Sequence, residues 1–186
     1  MRSILFATLI GLLGAAALHI LIILAVPYFT GNDAYTRISD LGEPLRFYAL
    51  PNETTAGGGL INDDPEMRLA VCALSVAENP VRLYAPPGVP FWSIGLFDSA
   101  SNEVFSMNDR TAVAGALDVV VATAVQLNAI RKALPQALSQ SILVEMPDED
   151  GYAVLRTFVP TATMDEAARA FLANAACESI DQSTLE

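Results

Sequence analysis

Residues 4–26 read ILFATLIGLLGAAALHILIILAV, a run with no formally charged residue and only Thr8 and His19 polar. Nothing else in the chain constrains its fold as much. As a helix, such a run spans roughly 34 Å at 1.5 Å per residue, enough to cross a bilayer hydrocarbon core of about 30 Å. Pro27, Tyr28 and Phe29 follow at once. Proline suits a helix end there, and aromatic rings suit the headgroup level. The competing reading is a cleaved signal peptide, with Arg2 as its positive start and Ala15-Ala16-Ala17 as a small-residue cleavage site. Cleavage after Ala17 would leave the apolar stretch from Ile20 to Val26 on the new terminus. The run also exceeds an ordinary signal-peptide core, so the expectation is an uncleaved transmembrane helix over 4–26.

Composition fits that division. The chain has 186 residues, 53% of them hydrophobic, yet its net charge is −11. All 21 acidic residues and nine of the ten basic ones follow the span, so that part carries a net charge of −12. A pI near 4.3 disfavours phosphate backbones, and no nucleic-acid partner is expected. Arg2 and the terminal amine precede the span, and Arg37 is the nearest basic residue after it. That bias predicts residues 1–3 in the cytoplasm and the remainder outside. Within the span, Ala7, Gly11, Ala15 and His19 recur every four residues and share one helical face. The face suits a partner transmembrane helix, with His19 as a polar contact. It also suits an ordinary anchor with incidental small residues.

After the span we expect a juxtamembrane segment and flexible loop over 27–62, then a β-rich domain over 63–186. Gly31-Asn32-Asp33 reads as a turn, with Asp33 capping a short helix from Ala34 to Leu41. A brief strand over 47–50 precedes the loop from Pro51 to Gly59. That loop lacks the Gly-Lys-Ser/Thr ending of a phosphate loop. Asn52-Glu53-Thr54 is formally a glycosylation sequon, relevant only in a secretory eukaryotic setting.

Strands are predicted over 69–76, 81–85, 91–97, 103–107 and 117–122, separated by turn signals that point to antiparallel sheets. Helix formers fill 125–138 up to a break at Pro135, and 141–146 and 152–159 read as a hairpin around the turn from Asp148 to Gly151. Thr163-x-x-Glu166 reads as a capping box opening a C-terminal helix over 164–177, with Ala167, Phe171 and Leu172 toward a core. The predicted fold class is an N-terminal transmembrane helix followed by a mainly β (α+β) domain. That domain is an antiparallel β-sandwich-like unit closed by the C-terminal helix.

Cys72, in a strand, and Cys177, near the end of the last helix, form an even pair that predicts a disulfide in an oxidising compartment. The alternative is two buried thiols. His19 is the only histidine, so no Ser-His-Asp or Cys-His arrangement and no His-based zinc site can be built in the outer domain. The acidic clusters Asp63-Asp64-Pro65-Glu66 and Asp148-Glu149-Asp150 lack an EF-hand pattern and read as solvated turns. No metal, cofactor or catalytic residue is expected. Arg110, in Asn108-Asp109-Arg110-Thr111, either pairs with Asp98 or Asp109 or presents a guanidinium to an anionic ligand.

Asp64-Pro65, Ala70-Val71-Cys72, Pro80-Val81-Arg82, Phe91-Trp92-Ser93, Phe97-Asp98 and Asn108-Asp109-Arg110 resemble the domain-of-unknown-function (DUF) 1254 family. Arg156-x-Phe158-x-Pro160, Cys177 and a histidine late in the span resemble in particular its short, membrane-anchored alphaproteobacterial members. The resemblance implies a β-sandwich-like domain, a bacterial inner-membrane location and no established activity, and it supplies no catalytic residue. Larger relatives join this domain to a second β domain. The first functional expectation, motivated by the acidic domain and the small-residue face of the span, is a non-enzymatic accessory or interaction module of the bacterial envelope. It would be a single-pass inner-membrane protein with its domain in the periplasm and a transmembrane or envelope partner. The second is a periplasmic small-molecule or lipid-binding sandwich using Tyr84, Trp92 and Arg110. A carboxylate-based enzyme comes third.

Overall fold

The computed structural model describes residues 2–29, 34–51, 60, 62 and 64–181. The turn Gly31-Asn32-Asp33, the sequon at Asn52 and the first residue of the acidic cluster, Asp63, lie outside them. The chain forms two compact units, Met1–Asp33 and Ala34–Glu186.

The first unit is helix α1, Arg2–Phe29. It is long and apolar enough to span a membrane, a property it shares with signal sequences. The helix continues past Pro27 instead of ending there. A proline costs a helix one backbone hydrogen bond, and near a terminus a single turn can still follow it. Thr8 Oγ1 donates to the Ile4 carbonyl at 2.9 Å, which satisfies its hydroxyl within the helix.

The second unit is α+β. Its strands are β1 (Tyr48–Ala49), β2 (Met67–Ser75), β3 (Val81–Ala85), β4 (Trp92–Asp98), β5 (Glu103–Asn108), β6 (Leu117–Ala122), β7 (Ile142–Glu145), β8 (Asp150–Phe158) and β9 (Ala176–Ser179). Its helices are α2 (Ala34–Ser39), α3 (Ala124–Lys132) and α4 (Asp165–Ala173). A five-stranded sheet has the order β1-β2-β8-β4-β5, and a four-stranded sheet the order β7-β6-β3-β9. Every pairing is antiparallel except β6 with β7. The alternation along β3 sends Val81, Leu83 and Ala85 inward and leaves Arg82 and Tyr84 on the opposite face. These residues meet Cys72 and Leu74 of β2, Trp92, Ile94 and Leu96 of β4 and Leu155 of β8 in one core between the sheets. On the other face of the five-stranded sheet, Ile38 of α2 packs against Val71, Ala73 and Tyr152.

Three local expectations are corrected. The segments 141–146 and 152–159 do not form a hairpin. β7 runs parallel to β6 at the edge of one sheet, whereas β8 lies between β2 and β4 in the other. A parallel pair needs a long crossover, and α3 with the turn after it supplies one. The capping box falls elsewhere: Thr123 Oγ1 accepts from the Gln126 amide while the Gln126 side chain accepts from the Thr123 N–H. Thr163 instead lies inside a 3₁₀ turn, Ala162–Met164, and shares a 3.0 Å hydroxyl contact with Thr161. Finally, the last helix stops at Ala173, and Cys177 belongs to β9. The buried face of α4 is Ala168, Phe171 and Leu172, and Ala167 is exposed.

Two tight places explain their residues. Asp98 ends β4 and is buried. Its carboxylate accepts from the Asn102 main-chain N–H and side-chain amide, each at 2.8 Å. The Asn102 side-chain bond is the main cause that holds the Asp98 carboxyl below its ordinary pKa, so the turn is organised around a carboxylate. Opposite Asp98 sits Gly151, where an added Cβ would run into the Met146 methyl and the Phe97 carbonyl. Only glycine permits that approach.

Candidate functional site, an arginine-rimmed groove

The segment that enters β1 brings Leu45 and Phe47 alongside the core, and Leu50 follows the strand. Beside them lie Leu69 at the start of β2, Leu172 in the last turn of α4, and Ala175 and Ala176 where the chain enters β9. Together these residues line a groove of about 930 Å³. That size falls within the usual range of small-molecule sites, roughly 300–1,000 Å³.

The described lining combines apolar side chains with basic ones. Arg46, Arg68 and Arg169 line it, and among the described residues its acidic lining residue is Glu178. Arg68 is held firmly. Its Nε donates to Asp165 Oδ1 at 2.7 Å, and its Nη1 donates to the Pro65 and Met67 carbonyls at 2.9 Å each. The second oxygen of Asp165 pairs with Arg169 Nε at 2.7 Å, four residues along α4. One carboxylate therefore serves two guanidiniums, and the Arg169 side chain stays 72% exposed. Arg46 is also exposed, its guanidinium 5.8 Å from the Tyr48 ring centre. Glu178 is the cross-strand neighbour of Arg82.

The residues singled out as a ligand trio are not brought together. Trp92 is 1% exposed, lies in the core, and donates from Nε1 to the Gly115 carbonyl at 2.9 Å. Tyr84 faces away from that core, with the Arg82 guanidinium 5.3 Å from its ring centre. Arg82 is itself bound to both oxygens of Asp118, at 2.9 and 2.8 Å. That bond holds its guanidinium above its ordinary pKa. Arg110 is exposed in the turn after β5 and pairs with neither Asp98 nor Asp109. The pleat separates Tyr84 from Trp92, since the two face opposite sides of their sheets.

Cys72 and Cys177 form a disulfide across 105 residues, joining β2 of one sheet to β9 of the other. Among the described residues no group of three or more His, Cys, Asp or Glu is placed to hold a metal ion. Ala7, Gly11, Ala15 and His19 lie along α1, all exposed. The groove arginines were not singled out from the sequence. Asp165 and Arg169 carried the one local signal, an i,i+4 pair on a helix. The Arg68–Asp165 contact spans 97 residues and is a property of the fold alone.

Comparison with known proteins gives a family. The family described as protein of unknown function (DUF1254) matches residues 50–179, well over half of the chain. The chain belongs to the DUF1254 family. Among the described strands, β2 to β9 lie within the matched range, as do both cysteines. The DUF1254 chain is similar to the solved VPA0106 protein from Vibrio parahaemolyticus, with a TM-score of 0.58 at 12% identity over 87% of this chain. It also matches an uncharacterized protein from Burkholderia cenocepacia, with a TM-score of 0.45 at 14% identity over 73% of this chain. The first likeness shows the fold. This chain spans about a third of each of those proteins, 36% and 35% of their lengths. No curated protein matches it.

Proposed function

We propose that this DUF1254 protein is a single-pass protein of the bacterial inner membrane, anchored by α1, with its β domain in the periplasm. There it serves as a non-enzymatic accessory module that binds another component of the envelope. The Cys72–Cys177 disulfide is the observation that carries this reading. Such bonds persist in oxidising compartments and are rare in the cytosol. The apolar helix supports the anchor, and the placement of the chain's only histidine on that helix leaves the β domain without the commonest general base. A second reading, ligand binding by the β domain, is favoured by the groove between β1, β2, α4 and β9, with its apolar and basic lining side chains.

Reporter fusions at the C-terminus test the proposal. An alkaline phosphatase fusion is expected to be active and a cytoplasm-dependent fluorescent fusion dark, with the protein in the membrane fraction. Solubilised in mild detergent, the chain is expected to migrate with a partner. A bright fluorescent fusion would overturn the placement, and a chain that always runs as a lone monomer would overturn the accessory role.

A further inference from the structure

We infer that the groove binds a single-chain amphiphile with a carboxylate head, a fatty-acid-like molecule, with its alkyl chain on the apolar lining and its head at Arg46 and Arg169. This rests on the ligand-binding reading above and gives it a chemical class.

The region after the span is strongly acidic, yet three of its nine basic residues border this one groove. Their partners do not neutralise them. Among the described residues, Asp165 alone pairs with Arg68 and Arg169, and Glu178, the other acid at the groove, sits beside Arg82, so Arg46, Arg68, Arg169, Asp165 and Glu178 together carry a net charge of +1. A single excess charge matches a carboxylate, whereas a phosphate monoester carries about −1.5 to −2 at neutral pH.

The Arg68 Nε and Nη1 are committed to Asp165 and two carbonyls, so Arg68 acts as a support. Arg169 pairs through Nε with Asp165, and its terminal nitrogens have no partner among the described residues. Arg46 has its guanidinium over the Tyr48 ring and no carboxylate partner among the described residues. Guanidinium forks bind carboxylates with two parallel bonds, and such charge-assisted bonds exceed neutral ones. Leu45, Leu50, Leu69 and Leu172 give the groove an apolar surface beside its arginines. An alkyl chain suits that surface.

Photolabelling of the full chain in zwitterionic phosphatidylcholine nanodiscs tests this. The probe is a hexadecanoate with a mid-chain diazirine, and labelled peptides are mapped by mass spectrometry. Labelling is expected in the peptides that carry Leu45–Pro51 and Leu172–Cys177, with competition by dodecanoate. The Arg46→Glu/Arg169→Glu variant should weaken groove labelling at least about tenfold. Labelling of α1 through the bilayer should not change and serves as the internal control. Both substituted side chains are exposed, and an unchanged circular dichroism spectrum and thermal midpoint report that the variant has folded. Groove labelling that survives the charge reversal would overturn the assignment. So would competition by dodecyl phosphate that exceeds dodecanoate. If the matching hexadecanol probe labels the groove equally well, the carboxylate assignment falls and the groove stays a binding site. If neither probe labels it, ligand binding falls as well.

Discussion

Replacing Trp92 with alanine is expected to lower the stability of the β domain by about 3–5 kcal/mol, the usual range for truncating a buried aromatic. The side chain is 1% exposed and is among the largest fully buried ones in the structure. It stands on β4 in the five-stranded sheet and fills space between the two sheets beside residues of β2, β3 and β6. Packing at native density leaves no neighbour free to collapse into such a void. Its Nε1 also fixes the turn before β6 through the Gly115 carbonyl. Gly115 has φ +74, a conformation that side chains rarely adopt. Trp92→Phe keeps most of the volume and loses the hydrogen bond, so it should cost less, about 1 kcal/mol for the bond plus the difference in packing. Urea unfolding followed by circular dichroism checks both. A Trp92→Ala protein within about 1 kcal/mol of the parent would show that the core is not closed around this ring.

The Cys72→Ala/Cys177→Ala variant is expected to lose about 2–5 kcal/mol. The bond closes a segment of 105 residues, and loop-closure entropy for about 100 residues approaches the top of that range. The location adds to the effect. β9 is a four-residue edge strand that pairs with β3, and two of its residues are exposed. The disulfide ties it across the core to β2, which is hydrogen-bonded to a neighbour on each side. Without the bond, β9 and the adjoining α4 should loosen first, which hydrogen exchange would show as lost protection over 165–179. The parent protein in reductant should behave like the variant. Equal stability of the parent, with or without reductant, and the variant would contradict this account.

Much of the sandwich was legible because turn chemistry punctuates it. Pro80 and Pro86-Pro87-Gly88 bracket β3, and Asp98 closes β4, so those strands fall within a residue of expectation. Local signals show where a chain turns, but they do not say which sheet receives the next strand. That is why the turn from Asp148 to Gly151 read as a hairpin tip, although it carries the chain from one sheet to the other. The clue was present in the helix formers of α3, which separate β6 from β7 and make a parallel pairing feasible. The alanine-rich stretch before Cys177 carries helix propensity, yet pairing with β3 and the disulfide take 176–179 into a strand. Tertiary contacts outweigh propensities of a few tenths of a kcal/mol per residue. The groove was illegible for a related reason. Its walls come from near residues 46, 68, 170 and 176, and no sequence window contains more than two of them.

The periplasmic placement rests on the disulfide, and the state of that bond in living cells tests it most directly. Cells expressing the full chain are quenched in acid, and free thiols are tagged with a maleimide that adds visible mass. The chain has two cysteines, so its gel shift is unambiguous. The account predicts no shift until the sample is reduced, and then two added tags. Two tags without reduction would mean that Cys72 and Cys177 are free in the cell, and would contradict an oxidising location for the domain.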